Sequence, residues 1–119
     1  MQQANQDLDF HERRKENRKR VKVSVLLKMG TYLKGRAYTQ DISLSGMYLV
    51  SPNMFGQIRQ NRVNDFIGSP IKIYFPAETL TINGTIVRVE RLKSGVGIKI
   101  TDTSNNELWQ EMCQDTICL

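Results

Sequence analysis

The sequence predicts a mainly β fold: a six-stranded antiparallel β-barrel with a flexible basic N-terminal arm and a C-terminal α-helix. Three observations carry this expectation. Six short runs rich in Val, Ile, Tyr and Thr recur along the chain, separated by Gly, Pro, Ser and Asn. Short strands at such spacing signal a small antiparallel barrel, and closure removes the exposed edges that an open sheet must defend. A stretch dense in Arg and Lys, without an apolar face, precedes the first run, and a segment of helical spacing follows the last.

Residues 1–12 read as a flexible lead and residues 13–20 as the basic arm. From Val21 the pattern changes: Val21, Val23 and Val25 alternate with Lys22, Ser24 and Leu26, the period of two expected of a strand with one buried face. Met29, Gly30 and Thr31 form a turn, and Gly35 to Ile42 a second strand. Ser45-Gly46 is a tight turn in which Gly permits a positive backbone angle, followed by a third strand over Met47 to Val50. Ser51 to Pro70 is a long connection. Its Met54, Phe55, Ile58, Phe66 and Ile67 make it pack on the body, with a short helical turn. Ile71 to Phe75 is the fourth strand, ended by Pro76. Leu80 to Val89 is a long fifth strand kinked at Gly84. Lys93-Ser94-Gly95 turns the chain into Val96 to Ile100, the sixth strand. Ser104 and Glu107 have capping-box spacing, and Leu108, Trp109, Met112 and Ile117 fall near helical spacing. They predict a helix over about 104–117 that covers one end of the barrel, with Trp109 in the core or as a lid.

A chain of 119 residues suits one domain with one core, expected here over residues 13–119. No run of about 18 apolar residues is present, so no membrane span is expected. The first residues lack the apolar centre of a secretion signal, which makes the cytoplasm the expected compartment. Cys113 and Cys118 are expected as reduced thiols. Zinc would require further Cys or His ligands, and His11 is the sole histidine. The net charge of +5 is local: residues 11–36 hold ten Lys or Arg against two Glu. That concentration points to an anion site and not to a generally basic surface.

Two polar clusters stand out. Arg14-Lys15-Glu16-Asn17-Arg18 offers two guanidiniums four residues apart, with Arg13 beside them. Asp41-Ile42-Ser43-Leu44-Ser45-Gly46 offers a carboxylate, a hydroxyl and a glycine. One β-ribbon separates them, which is enough to bring them together in space. Arg binds phosphate, or the O6/N7 edge of guanine, through two parallel hydrogen bonds. A carboxylate such as that of Asp41 accepts from the paired N1–H and N2–H₂ donors of guanine. Ser43 can donate to a phosphate or accept from a base, and Gly46 allows close approach to the backbone because no Cβ intervenes. The pattern therefore suits a ligand with both phosphates and a hydrogen-bonding base.

In that order and spacing, the two clusters resemble the PilZ domain family, bacterial receptors for cyclic di-GMP. Arg14 and Arg18 match the family's Arg-x-x-x-Arg ahead of the first barrel strand. Asp41, Ser43 and Gly46 match its Asp/Asn-x-Ser-x-x-Gly at the end of the next ribbon. The stretches Gly84 to Val89 and Gly95 to Ile100 look like its last barrel strands. The resemblance covers roughly residues 12 to 115. One departure is that Lys19 and Arg20 stand between Arg18 and Val21, where many members enter the first strand at once.

The resemblance implies a cyclic di-GMP ligand on the outer face of the barrel, held by Arg13, Arg14, Arg18, Asp41, Ser43 and Gly46. Arg88 is a further candidate that either reaches this face or is simply solvated. An Arg at the position of Arg13 implies two ligand molecules per domain. No other cofactor and no metal are implied. Ligand binding would order the arm, and the signal would pass to a downstream partner protein in a process such as motility or biofilm formation. Two other readings fit the charge pattern: a basic barrel that binds single-stranded nucleic acid, and a PilZ-like module that binds only protein. The aromatic residues are not interleaved with the basic ones, which disfavours nucleic acid. No nucleophile–base pair or phosphate-cradling Gly-rich loop is evident, so an enzyme is not expected.

Overall fold

Alternation of apolar and polar residues builds most of the molecule. The structure, a computed structural model, describes residues 18–31 and 33–114. Along the chain run β1 (Lys19–Arg20), β2 (Ser24–Met29), β3 (Leu33–Ile42) and β4 (Gly46–Val50). The long connection holds two 3-10 turns, Phe55–Gln57 and Gln60–Arg62, and one helical turn, α1 (Val63–Phe66). Then come β5 (Pro70–Phe75), β6 (Leu80–Glu90), a 3-10 turn at Arg91–Lys93, β7 (Gly95–Thr103) and α2 (Asn106–Cys113). The strands pair in the order β3, β2, β5, β6, β7, β4, and β4 pairs again with β3, so six antiparallel strands close into a barrel.

The inward positions are those the period of two selects. Val25, Leu27 and Met29 of β2, Ile71, Ile73 and Phe75 of β5, and Leu80, Ile82 and Ile86 of β6 are all buried. Met47 and Leu49 of β4 and Val96 and Ile98 of β7 complete the wall facing them. Each such side chain contributes about 1.5–3 kcal/mol by leaving water. Phe55 and Ile58 from the long connection also enter this core. Trp109 closes one end: it is buried, its ring meets Phe75 edge-on at 5.8 Å, and its Nε1 donates to the Leu44 carbonyl at 3.2 Å.

The first strand differs from the expectation. The regular ladder starts at Ser24, not Val21, and a separate two-residue strand forms inside the basic arm. Lys19 lies opposite Ile42 and Arg20 opposite Asp41, so β1 and β2 run end to end along one edge of β3. The interruption coincides with a bulge in β3, where register shifts between Thr39 and Asp41 and Gln40 is the extra residue. Thr39 fills the gap. Its buried hydroxyl donates to the Val21 carbonyl at 2.5 Å and accepts from the Val23 N–H at 2.9 Å. Its own N–H donates to the Val23 carbonyl, and the Val21 N–H donates to the Gln40 carbonyl. A side chain thus supplies the bonds that a register-shifted ladder cannot.

The helix cap also differs. Asn105, not Ser104, is the N-cap, its side chain accepting from the Leu108 N–H at 3.0 Å. Ser104 is held by β6: it donates its N–H to the Thr81 carbonyl and accepts the Thr81 N–H on its hydroxyl. Because β7 continues to Thr103, the chain is still sheet-bonded at the predicted cap. At the other end of α2, Lys19 Nζ donates to the Met112 carbonyl at 3.1 Å, a cation placed where the helix dipole is negative. The described helix ends at Cys113. Gln114, expected inside the helix, is its extended C-cap; Tyr32, Cys118 and positions 115–117 of the predicted helix lie outside the described residues. At Gly84, the expected site of a kink in this strand, the register shifts between Asn83 and Gly84 with Thr101 of β7 as the extra residue. That bulge lies in the partner strand, and the bulge of β6 itself falls between Ile86 and Arg88.

Candidate functional site: a groove on the outer barrel face

Cross-strand register lines up one row of residues across five strands. Arg20 of β1 lies opposite Asp41 of β3, Asp41 opposite Tyr48 of β4, Tyr48 opposite Gly97 of β7, and Gly97 opposite Arg88 of β6. The row crosses the floor of an outward groove of about 460 Å³, lined among others by Arg18, Asp41, Tyr48, Arg88, Glu90 and Lys93. Two of the three register shifts serve it. Gln40 and Val87 are the extra residues of β3 and β6, and both line the groove. A bulge puts two consecutive side chains on one side of the strand. In β6 this leaves Val87 and Arg88 both outward after Ile86 points into the core.

At one end Arg18 reaches Asp41. Its Nε donates to Asp41 Oδ1 at 2.8 Å, and its Nη2 approaches the same oxygen at 2.5 Å. Half of the Arg18 side chain is exposed, whereas that of Asp41 is 17 % exposed. The carboxylate is thus fixed on the barrel while the guanidinium comes from the arm. The two clusters are brought together because β1 pairs with the end of β3.

Tyr48 and Arg88 form the other half. Tyr48 is buried although it faces outward, because its ring lies across Gly95: a Cβ there would collide with Tyr48 Oη and the ring carbons. Arg88 Cζ sits 5.5 Å from the Tyr48 ring centroid, a cation–π arrangement. Glu90 ties the pair together. It accepts from Tyr48 Oη at 2.6 Å, lies 3.2 Å from Arg88 Nε and 3.7 Å from Lys93 Nζ. Burial, and then the bond to Glu90, push the Tyr48 phenol well above its usual range, so it remains a donor. The Tyr48 hydrogen bond, assisted by the charges of Arg88 and Lys93 against desolvation, holds Glu90 below the usual carboxylate range.

The remaining predicted residues have other places. Ser43 is fully buried. Its hydroxyl donates to the Gly46 carbonyl at 3.2 Å, its N–H to the same carbonyl at 2.8 Å, and Gly46 N–H returns a bond of 3.4 Å to the Ser43 carbonyl. Gly46 is not at a positive φ, unlike Gly30 and Gly68. Its lack of a Cβ serves the approach of β4 to β7, since a Cβ would stand 2.8 Å from the Ile98 carbonyl oxygen. Ser43 and Gly46 therefore build the turn that presents Asp41. Arg88, left open between two roles by the sequence, faces the groove. Arg13 and Arg14 lie outside the described residues. Sequence reasoning did not single out Gln40, Tyr48, Val87, Glu90 or Lys93. The Arg88/Glu90 period of two was a usable signal for one of them, whereas the bulges that admit Gln40 and Val87 leave no trace in composition.

Residues 12–114 match the model of the PilZ domain. No curated protein is similar to the chain at a significant level. Among solved structures, the crystal structure of the PilZ domain of CeSA, from a cellulose-synthesizing bacterium, superposes with a TM-score of 0.58 at 14% identity. That match covers 82% of this chain and 94% of the other. The Bacillus subtilis inhibitor of motility MotI/DgrA superposes with a TM-score of 0.54 at 13% identity over 82% of this chain, which spans 46% of that longer protein. At such identities the two structures bear on the fold alone: a closed six-stranded barrel with a helix after its last strand. Among the described residues no helix is long and apolar enough to cross a membrane. A family match over nearly the whole chain, on a barrel of this architecture, places the protein in the PilZ domain family.

Proposed function

We propose that this protein is a cyclic di-GMP receptor that passes its signal to a partner protein and has no catalytic activity of its own. The observation that carries this reading is the Arg18–Asp41 pair, held at one end of an outer-face groove whose other end is Arg88 over Tyr48. In this reading Arg14 and Arg18 take phosphate oxygens and guanine O6/N7 edges, and Asp41 accepts N1–H and N2–H₂ of a guanine. Both contacts from Arg18 fall on Oδ1 of Asp41, and the move of Arg18 to the ligand frees that oxygen to act with Oδ2 on the two donors of the base. Ser43 and Gly46 act through the turn that fixes Asp41. Arg88 closes the far side of the groove.

Magnitudes favour ligand over the resident ion pair. An exposed ion pair is worth about 0–1 kcal/mol, whereas each hydrogen bond between a charged group and the ligand is worth about 1.5–3 kcal/mol. Releasing Arg18 from Asp41 toward a phosphate therefore costs little. The end of the arm is laid on the barrel by β1, so Arg18 is held next to the groove before ligand arrives. In this reading Arg13 grips a second, stacked ligand molecule.

The test is calorimetric titration with cyclic di-GMP, with GMP and a short single-stranded oligonucleotide as controls. Saturable binding of cyclic di-GMP alone, with a stoichiometry near two, is expected. Arg18→Ala and Asp41→Ala should each weaken it at least tenfold without lowering Tm by more than a few degrees. Absence of heat together with an unchanged Tm in the presence of cyclic di-GMP would overturn the reading.

A further inference from the structure

A second surface lies on the outer face of β2, β5 and the first half of β3, away from the groove. Register stacks its outward side chains into two rows. Lys34 of β3 lies opposite Lys28 of β2, and Lys28 opposite Lys72 of β5. In the next row Arg36 lies opposite Leu26, and Leu26 opposite Tyr74. Between the rows is a depression of about 510 Å³ lined by these six residues and their neighbours. The four cations are exposed, Tyr74 is half-buried, and Leu26 is 44% exposed.

Two features make this face unusual. Like charges directly opposite across strands destabilise a sheet, yet three lysines stand in direct succession. Among the described residues no carboxylate forms an ion pair with Lys28, Lys34, Arg36 or Lys72. The lysine row continues through Asn83 and reaches its first carboxylate at Asp102 of β7, two strands beyond Lys72. The second feature is the depression itself. Its surface is apolar because Leu26 and Tyr74 floor it and the long cationic side chains present aliphatic stems with their charges at the rim.

We infer that this face docks an acidic protein segment that inserts apolar side chains between its carboxylates. The charge fixes the sign of the partner, and the concave apolar floor fixes its class. A planar anionic membrane surface matches the exposed cations but leaves the apolar floor of the depression unfilled. Single-stranded nucleic acid is held by stacking on exposed aromatic faces, which a half-buried Tyr74 flanked by Leu26 does not provide. An acidic segment with leucine or phenylalanine side chains fills the floor and neutralises the rim at once. The inference does not depend on ligand binding at the groove.

Fluorescence anisotropy of the full chain tests it, with labelled peptides of Glu and Leu at helical and at alternating spacing as probes. Polyglutamate, phosphatidylglycerol vesicles and oligothymidine are the comparison probes. At least one Glu/Leu peptide should bind more tightly than polyglutamate. Lys28→Glu and Leu26→Ser should each weaken that binding about tenfold or more and leave cyclic di-GMP titration unchanged. Lys28→Glu replaces two like-charge cross-strand contacts with opposite-charge ones, so its Tm should rise, which separates lost binding from lost fold. Binding of Glu/Leu peptides no tighter than polyglutamate, equal binding by the two variants, or binding confined to vesicles or oligothymidine would each overturn the inference.

Discussion

Glu90 shows how one residue organises a site while taking no place in the motif. It accepts the Tyr48 hydroxyl and neutralises Arg88 and Lys93, and so holds the cation over the aromatic ring. The same bond links stability to pH in two windows. Glu90 is depressed in the folded state, so its contribution is present above the ordinary Glu value of about 4.3 and is lost as pH falls through its lower folded value. Tyr48 is raised, so its contribution is complete below the ordinary Tyr value of about 10 and is lost as pH rises through its higher folded value. Tyr48→Phe keeps the ring over Gly95 and removes the hydroxyl. Its Tm-against-pH profile should lie below the native one at neutral pH and lose the alkaline fall assigned to this phenol. A variant profile parallel to the native one from pH 4 to 11 would show that the bond does not carry the linkage.

At the scale of elements, the bulge in β3 decides where the basic arm meets the barrel. Thr39 bridges the break between β1 and β2, and β1 sets Arg18 beside Asp41. Thr39→Val preserves shape but leaves the part-buried Val23 N–H and Val21 carbonyl without this hydroxyl, at a cost of about 1–3 kcal/mol. Denaturant unfolding should register that loss with an unchanged slope. Cyclic di-GMP affinity should fall as well, because the arm's anchor loosens; stability lost with full affinity retained would mean that β1 holds its position without Thr39. The run from Val21 to Leu26 reads as one unbroken strand because periodicity reports which residues face the core. Val21 and Val23 do pack against it, yet register with β3 breaks there. The Ser104/Glu107 cap fails for a related reason. A side chain able to cap a helix is equally able to bond a strand, and the reach of β7 settles which it does.

At the scale of the molecule, closure makes the barrel and its helical cap one cooperative unit. Trp109, the sole tryptophan, is buried against Phe75 and bonded to Leu44, inside the segment between Asp41 and Gly46. Thermal unfolding followed by Trp109 fluorescence and by far-UV circular dichroism should therefore trace one coincident transition. Trp109→Ala should cost about 3–5 kcal/mol. A tryptophan transition well below that of the strands would show instead that α2 leaves the barrel first. The barrel also keeps its two candidate surfaces apart: the groove spans β3, β4, β6 and β7, and the lysine face spans β2, β3 and β5.

β1 and the break before Ser24 were not legible in the sequence, whereas the six barrel strands, the closed all-β architecture, the covering helix and the nearness of an Arg-bearing arm to Asp41 were. Each follows from local rules: a period of two, turn residues at set intervals, and a ribbon short enough to return on itself. Ser43 and Gly46 were legible as a motif but not in their roles, because whether a hydroxyl faces a ligand or its own turn depends on which side of the chain the barrel closes. The row from Arg20 to Arg88, the outward burial of Tyr48 over Gly95 and the succession of three lysines belong to tertiary structure alone. Each depends on pairings between separate strands, and only register, shifted at the bulges for the groove and unbroken across β3, β2 and β5 for the lysines, decides which side chains meet.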